Sequence, residues 1–440
     1  MTPRHPMGPL PRATSWLLTL YLGTAPVQWL PGVHYDWLAP FKVLLFVVAV
    51  GMVFVGTSRT RLRLPGGLAG PLGFAALAAL AVPGLAQSSL VLSAGYVVDV
   101  VSGAAMLWCF YNVARLDPDA ARVIVDRSAM ILAAFGVLAL ILAFAGLGLQ
   151  SSCSTASFRD TAFGCSRTAW SGGLALYLPV LVVFAFRRDI GVLRRWLYLA
   201  LAAGGLAAQA GVGGRAGLVA SFVVVAVFVY YFMPRRWKVL GSAVALLAAT
   251  AVTIPTTLSE QLRLDEIPKN PTSLMDWNYV SSGRIGGALQ AAAFIAERPL
   301  AGHGIGAVRA EFRGGRPEIH NLWLKWAAYC GVLAPLLFLG LVIVLLAQAR
   351  RLARVVDGYR SVAVASGLVI VAGLVLSMLE PGTPFGEFQN NALWWAAAGL
   401  IVGMASQRPE LGGRWRRWLL GEKQPARGPK QAAGAQTCAA

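Results

Sequence analysis

Long apolar runs alternate with short arginine-rich segments along almost the whole chain. Crossing the hydrocarbon layer takes about 20 apolar residues in a helix. Twelve runs fit, at roughly 14–30, 38–56, 67–86, 90–113, 128–148, 170–186, 196–213, 216–233, 239–255, 324–347, 361–378 and 391–405. Several contain Gly or Pro, which membrane helices tolerate when neighbours satisfy the backbone. The pattern predicts an all-α polytopic integral membrane protein of about twelve transmembrane helices, with residues 1–440 as a single membrane domain. Composition agrees: 57% of the residues are hydrophobic and 13% charged, against roughly 25% charged in a soluble domain. A soluble enzyme, a disordered chain and a disulfide-rich secreted module are excluded.

Charge sets the expected orientation. With the N-terminus inside, the cytoplasmic segments are 1–13, 57–66, 114–127, 187–195, 234–238, 348–360 and the basic tail 406–440. They hold 26 of the 38 Lys and Arg and seven of the 19 Asp and Glu, so the whole net charge of +19 falls on one side. That is the positive-inside rule, and it places both termini in the cytoplasm. Runs such as Arg59-Thr60-Arg61-Leu62-Arg63, Arg187-Arg188 and Arg194-Arg195 read as solvated topology determinants that meet anionic lipid headgroups. Nucleic acid is not needed to explain the basicity. The first span follows Arg4 and Arg12 without a small-residue cleavage site and reads as an uncleaved signal anchor.

Cys153 and Cys165 fall in one expected external loop with eleven residues between them. A disulfide between them is expected to contribute about 2–3 kcal/mol by restricting the unfolded chain. Mass spectrometry of unreduced protein checks it. Cys109 and Cys330 read as packing residues and Cys438 as a free thiol in the tail. No Cys or His spacing resembles a metal site.

One loop is long, 256–323, expected outside between spans nine and ten. A reporter fused after Ser281 is expected to be active only outside the cytoplasm. Ser281 or Ser282 should cap an amphipathic helix over 285–297, with Ile285, Leu289, Ala292 and Ile295 or Ala296 on its packed face. Pro299 closes it, and the glycine-spaced turn Gly302-His303-Gly304-Ile305-Gly306 follows. His303 reads as part of a backbone turn with an exposed ring.

Three residues suit chemistry. Arg215, in Gly213-Gly214-Arg215-Ala216-Gly217, stands where span eight opens. An arginine so near the bilayer costs at least about 2.5–3.5 kcal/mol unless it serves a purpose or snorkels to the headgroups. Beside a helix N-terminus it makes an anion site. Arg284 follows Ser282-Gly283 in the first turn of the loop helix. A cation there is unfavourable unless an anion bridges it to the free N–H groups; a plain surface arginine is the alternative. His320, followed by Asn321, stands where the loop meets span ten. The positive end of a helix disfavours the imidazolium, so a neutral ring able to accept a proton is expected there, or else a structural interface histidine. Asp117-Pro118-Asp119 reads as a helix cap, and Asp36 as an interfacial acid.

Gly214-Arg215-Ala216-Gly217, Ser282-Gly283-Arg284-Ile285, Pro299-Leu300-Ala301-Gly302-His303-Gly304-Ile305-Gly306 and His320-Asn321-Leu322-Trp323-Leu324 before Gly331-Val332 stand in this order. Together they resemble the O-antigen ligase and polymerase superfamily, closely over 200–347 and only in hydropathy before 195. The resemblance implies a glycan donor on undecaprenyl diphosphate, presented at the periplasmic face of the bacterial inner membrane. It implies that Arg215 and Arg284 bind the diphosphate, that His320 serves the acceptor hydroxyl with Asn321 beside it in the substrate site, and that no metal, nucleotide or other cofactor takes part. It favours a ligase, whose acceptor is lipid A–core. A polymerase adding to a second lipid-linked repeat is the alternative. Some polymerases carry an Arg, ten residues, then Gly, and none of the external arginines here is so followed. A twelve-span anion transporter is the alternative from another class, though residues 1–213 and 214–440 show no repeat.

Overall fold

The computed structural model describes residues 11–24, 35–58, 63–65, 70, 73, 76, 90–144, 167–211, 215–232, 284–305, 307–308, 319–354, 359–380 and 388–407. Among them every regular element is a helix. They are α1 (Arg12–Gly23), α2 (Tyr35–Ser58), α3 (Leu90–Leu116), α4 (Pro118–Phe144), α5 (Arg167–Ala185), α6 (Val192–Gly211), α7 (Arg215–Phe232), α8 (Arg284–Glu297), α9 (Leu322–Cys330), α10 (Leu333–Leu352), α11 (Arg360–Leu379) and α12 (Phe388–Ser406). Three of these, α7, α10 and α11, are long and apolar enough to cross a membrane.

These twelve helices are not the twelve expected spans. α8 belongs to the long loop, and the run expected at 324–347 is two helices broken at Gly331. The run at 239–255, most of 67–86, the expected disulfide partners Cys153 and Cys165, Ser281, Ser282 and Cys438 lie outside the described residues. Asp36, read as an interfacial acid, lies in the first turn of α2.

The best-packed pair is α3 against α12, and glycine makes it possible. Gly399 and Gly403, four residues apart on one face of α12, rest directly on α3. A Cβ at Gly399 would stand 2.3 Å from the Leu107 carbonyl oxygen, and one at Gly403 2.5 Å from that of Tyr111. Small residues spaced by four let helix backbones approach in this way. Gly399→Val is therefore expected to destabilise the bundle by about 1–3 kcal/mol through overpacking, read as a lower melting temperature in detergent.

Two expectations are borne out. Asp117 caps α4, its Oδ1 accepting from the Ala120 N–H at 2.9 Å, with Pro118 in the first helical position where its missing N–H costs nothing. Cys109 and Cys330 are buried in the core.

The arginines near 190 need correction. Arg187, Arg194 and Arg195 are not simply solvated, whereas Arg188 is exposed as expected. α6 begins with Val192, Leu193, Trp196 and Leu197 facing outward. Arg194 turns inward onto buried Asp126 of α4, which also accepts from the Tyr198 hydroxyl. The Arg195 Nε–H donates to the Ala185 carbonyl at 3.0 Å, satisfying the C-terminus of α5. Arg187 pairs with Asp189 and holds its carboxyl below the usual carboxylate range. Exposed Trp16 with Arg127 over its ring at 4.3 Å, Trp196, Tyr230 and Tyr231 add an outward aromatic set. Amphipathic aromatics of this kind collect at membrane interfaces.

Candidate functional site

The site is assembled around the last turn of α11. Ser377, Met378 and Glu380 there each hold a residue of the long loop. Arg284, the first residue of α8, donates through Nη2 to Glu380 Oε1 at 3.0 Å, and both side chains are partly buried. The Arg284 Nε–H is buried without a hydrogen-bond partner. Asn321 donates through Nδ2 to the Met378 carbonyl at 3.2 Å. The Trp323 indole N–H donates to Ser377 Oγ at 2.8 Å. Met378 and Glu380 are two residues apart, no more than about 7 Å of chain. The anchors of α8 and of the α9 start are therefore neighbours, although Arg284 and Asn321 are far apart in sequence.

Asn321 is the N-cap of α9. Its Oδ1 accepts from the Leu324 N–H at 3.0 Å. Both ends of its amide are thus committed to backbone, and His320 is carried as the residue immediately before the cap. His320 is partly buried.

A latch made by the glycine-spaced turn fixes α9 at its other end. The His303 N–H donates to the Ala328 carbonyl at 2.8 Å, and the Gly304 N–H to that of Tyr329 at 3.0 Å. The Val332 N–H donates to the Pro299 carbonyl at 2.8 Å. Carbonyls that the short helix leaves open are satisfied by the turn. Close approach dictates the glycines: a Cβ at Gly302 would lie 2.4 Å from the Tyr329 oxygen, and one at Gly331 2.0 Å from that of Leu300. Both have positive φ, 67° and 81°, where only Gly is unstrained. Gly331 is also why the expected span breaks.

His303 corrects another expectation. Its ring is not exposed: the side chain is 13% accessible, tilted on Phe294 at 5.1 Å, with Nε2 3.0 Å from the Phe294 carbonyl oxygen. It ties the turn to α8. The packed face of α8 is rotated from the one expected. Gly287, Ala291, Phe294 and, as expected, Ile295 face inward, whereas Leu289 and Ala292 are exposed.

Arg215 opens α7 and stands at the same end of the bundle. Gly217 rests against Ser171 of α5, where a Cβ would meet the Ser171 Oγ at 2.1 Å. The next α5 residue, Gly172, lies against Leu376 of α11, whose carbonyl accepts from the Glu380 N–H at 2.7 Å. Beneath it, buried Gln209 donates to the Ser171 carbonyl and accepts from Ser221 Oγ, each at 3.0 Å, joining α5, α6 and α7. The Asp126–Arg194 cluster is at the opposite end, since Ala185, which its neighbour Arg195 caps, is fourteen residues along α5 from Ser171, about 21 Å.

Sequence reading missed Glu380. An isolated acid has no local signature. The one available signal was its position directly after an apolar run and before Pro381-Gly382. Among the described residues no three His, Cys, Asp or Glu side chains gather as metal ligands. The chain matches no known family model and no curated protein sequence.

Proposed function

We propose that the protein is a membrane glycosyltransferase of the O-antigen ligase type. It moves a polysaccharide from undecaprenyl diphosphate to lipid A–core at the periplasmic face of the bacterial inner membrane. The proposal includes twelve spans with both termini cytoplasmic, supported by the one-sided charge of +19. The observation that carries the reading is Arg284: a guanidinium anchored on one edge by Glu380, with a buried N–H still uncommitted, at the start of a helix that favours anions.

Arg284 and Arg215 take the diphosphate, and their charge stabilises the negative charge that develops on it as a leaving group. Glu380 does not bind substrate; it fixes the plane of the Arg284 fork. The acceptor hydroxyl oxygen attacks the anomeric carbon as the bond from that carbon to the diphosphate oxygen breaks. His320 takes the hydroxyl proton. Undecaprenyl diphosphate leaves with the bonding electrons, and direct attack inverts the anomeric centre. Asn321, expected beside the substrate, is better suited to positioning His320, because its amide is already bonded at both ends.

Deleting the gene and resolving lipopolysaccharide on a gel tests this. Loss of the long chains with lipid-linked polymer accumulating supports the ligase. Chains capped at a single repeat replace it with the polymerase.

A further inference from the structure

The face of α8 turned away from the bundle carries no charge. Leu289, Ala292, Ala293 and Ala296 are exposed and lie within an arc of about 100° on a helix turning 100° per residue. Leu289 is 54% accessible, and Leu300, just past the helix, 78%. Glu297 stands at the edge of the arc. Four apolar positions alone identify no partner, but the latch fixes where they lie.

The Val332 N–H bonds to the Pro299 carbonyl, and the Gly331 Cα packs on the Leu300 carbonyl. Leu300 therefore abuts the first turn of α10. α10 is long and apolar enough to cross a membrane, and its outward side is Leu333, Leu336, Leu339 and Ile343. Leu300 extends that outward apolar strip beyond the end of the crossing helix, and the exposed apolar arc of α8 stands just before it in the chain. An apolar surface continuous with a lipid-facing one fits the same solvent.

We propose that α8 and the Leu300 turn are immersed in the membrane interface, with Leu289, Ala292, Ala296 and Leu300 among the upper acyl chains. Helices with one bare apolar face lie in the headgroup boundary in this way. Arg284 and Glu380 then stand at the depth of lipid phosphates. An anionic ligand reaches Arg284 sideways from the bilayer, as a lipid-borne phosphate or diphosphate, and a water-soluble sugar nucleotide does not. This consequence rests on the reading of Arg284 as an anion site; the depth itself does not.

The test is spin-label accessibility in nanodiscs of phosphatidylethanolamine and phosphatidylglycerol. Full-length Leu289→Cys and Leu300→Cys are labelled one at a time, with Cys153, Cys165 and Cys438 replaced by Ser. Ile343→Cys marks the lipid side and Glu297→Cys the water side. Labels at 289 and 300 should collide with oxygen in preference to a nickel chelate, as at 343 and in contrast to 297. Nickel access at 289 and 300 equal to that at 297 overturns the inference. If Arg284→Ala still abolishes undecaprenyl diphosphate binding in that case, the site reading survives and the interfacial placement alone is lost.

Discussion

Arg284→Ala is expected to lower kcat/KM for glycan transfer by at least about 10²-fold, the usual cost of removing one preorganised donor to a developing anion. Arg284→Lys should recover little of it. A single ammonium cannot donate to Glu380 and also present two coplanar N–H groups to a diphosphate. Glu380→Ala leaves the guanidinium present but unanchored, and a small misplacement of a binding group can cost up to about 10²-fold. Its effect should fall mainly on the donor KM, since the charge that meets the leaving group is kept. Steady-state kinetics on purified protein in nanodiscs read all three. Full activity in Arg284→Lys would reduce the residue to a charge without geometry.

His320→Ala should behave differently. The proton-transfer contribution is typically about 10²–10⁴-fold in rate, so slow residual turnover is expected. Binding of undecaprenyl diphosphate should be unchanged, because His320 acts on the acceptor. Asn321→Ala tests the positioning role beside it. Loss of the cap costs about 1 kcal/mol of local stability, and the fall in kcat should be smaller than for His320→Ala. Equal loss of donor binding in His320→Ala and Arg284→Ala would contradict the division of labour.

Local signals were legible in the sequence, and tertiary ones were not. The glycines before Arg215 and the Ser-Ser-Gly before Arg284 mark helix starts, and the helices begin at those two arginines. Asp117 before Pro118 announces its cap in four residues. The break at Gly331 is invisible to hydropathy, because both flanks are apolar. It exists because the turn at Pro299–Gly304 supplies the bonding that a continuous helix would have supplied itself. The partnership of Glu380 with Arg284 spans 96 residues and has no periodicity to betray it. Arg194 gave no local signal, since exposed Leu197 lies on its own helix face one turn on and its partner Asp126 is 68 residues away. Counting its charge for topology hid its direction. The rotation of α8 has the same origin: an alanine-rich helix offers several similar apolar arcs, and packing against α9 chooses among them.

Direct, metal-independent transfer from a lipid diphosphate is open to one decisive test. The measurement is a single reaction: purified protein in nanodiscs, lipid-linked glycan donor, lipid A–core acceptor and excess EDTA, with free undecaprenyl diphosphate and glycosylated acceptor quantified together. The two products should appear in equal amounts, at a rate EDTA does not change, and both should vanish in Arg284→Ala. Abolition by EDTA with rescue by a divalent ion, or donor consumed without glycosylated acceptor, would overturn direct, metal-independent transfer.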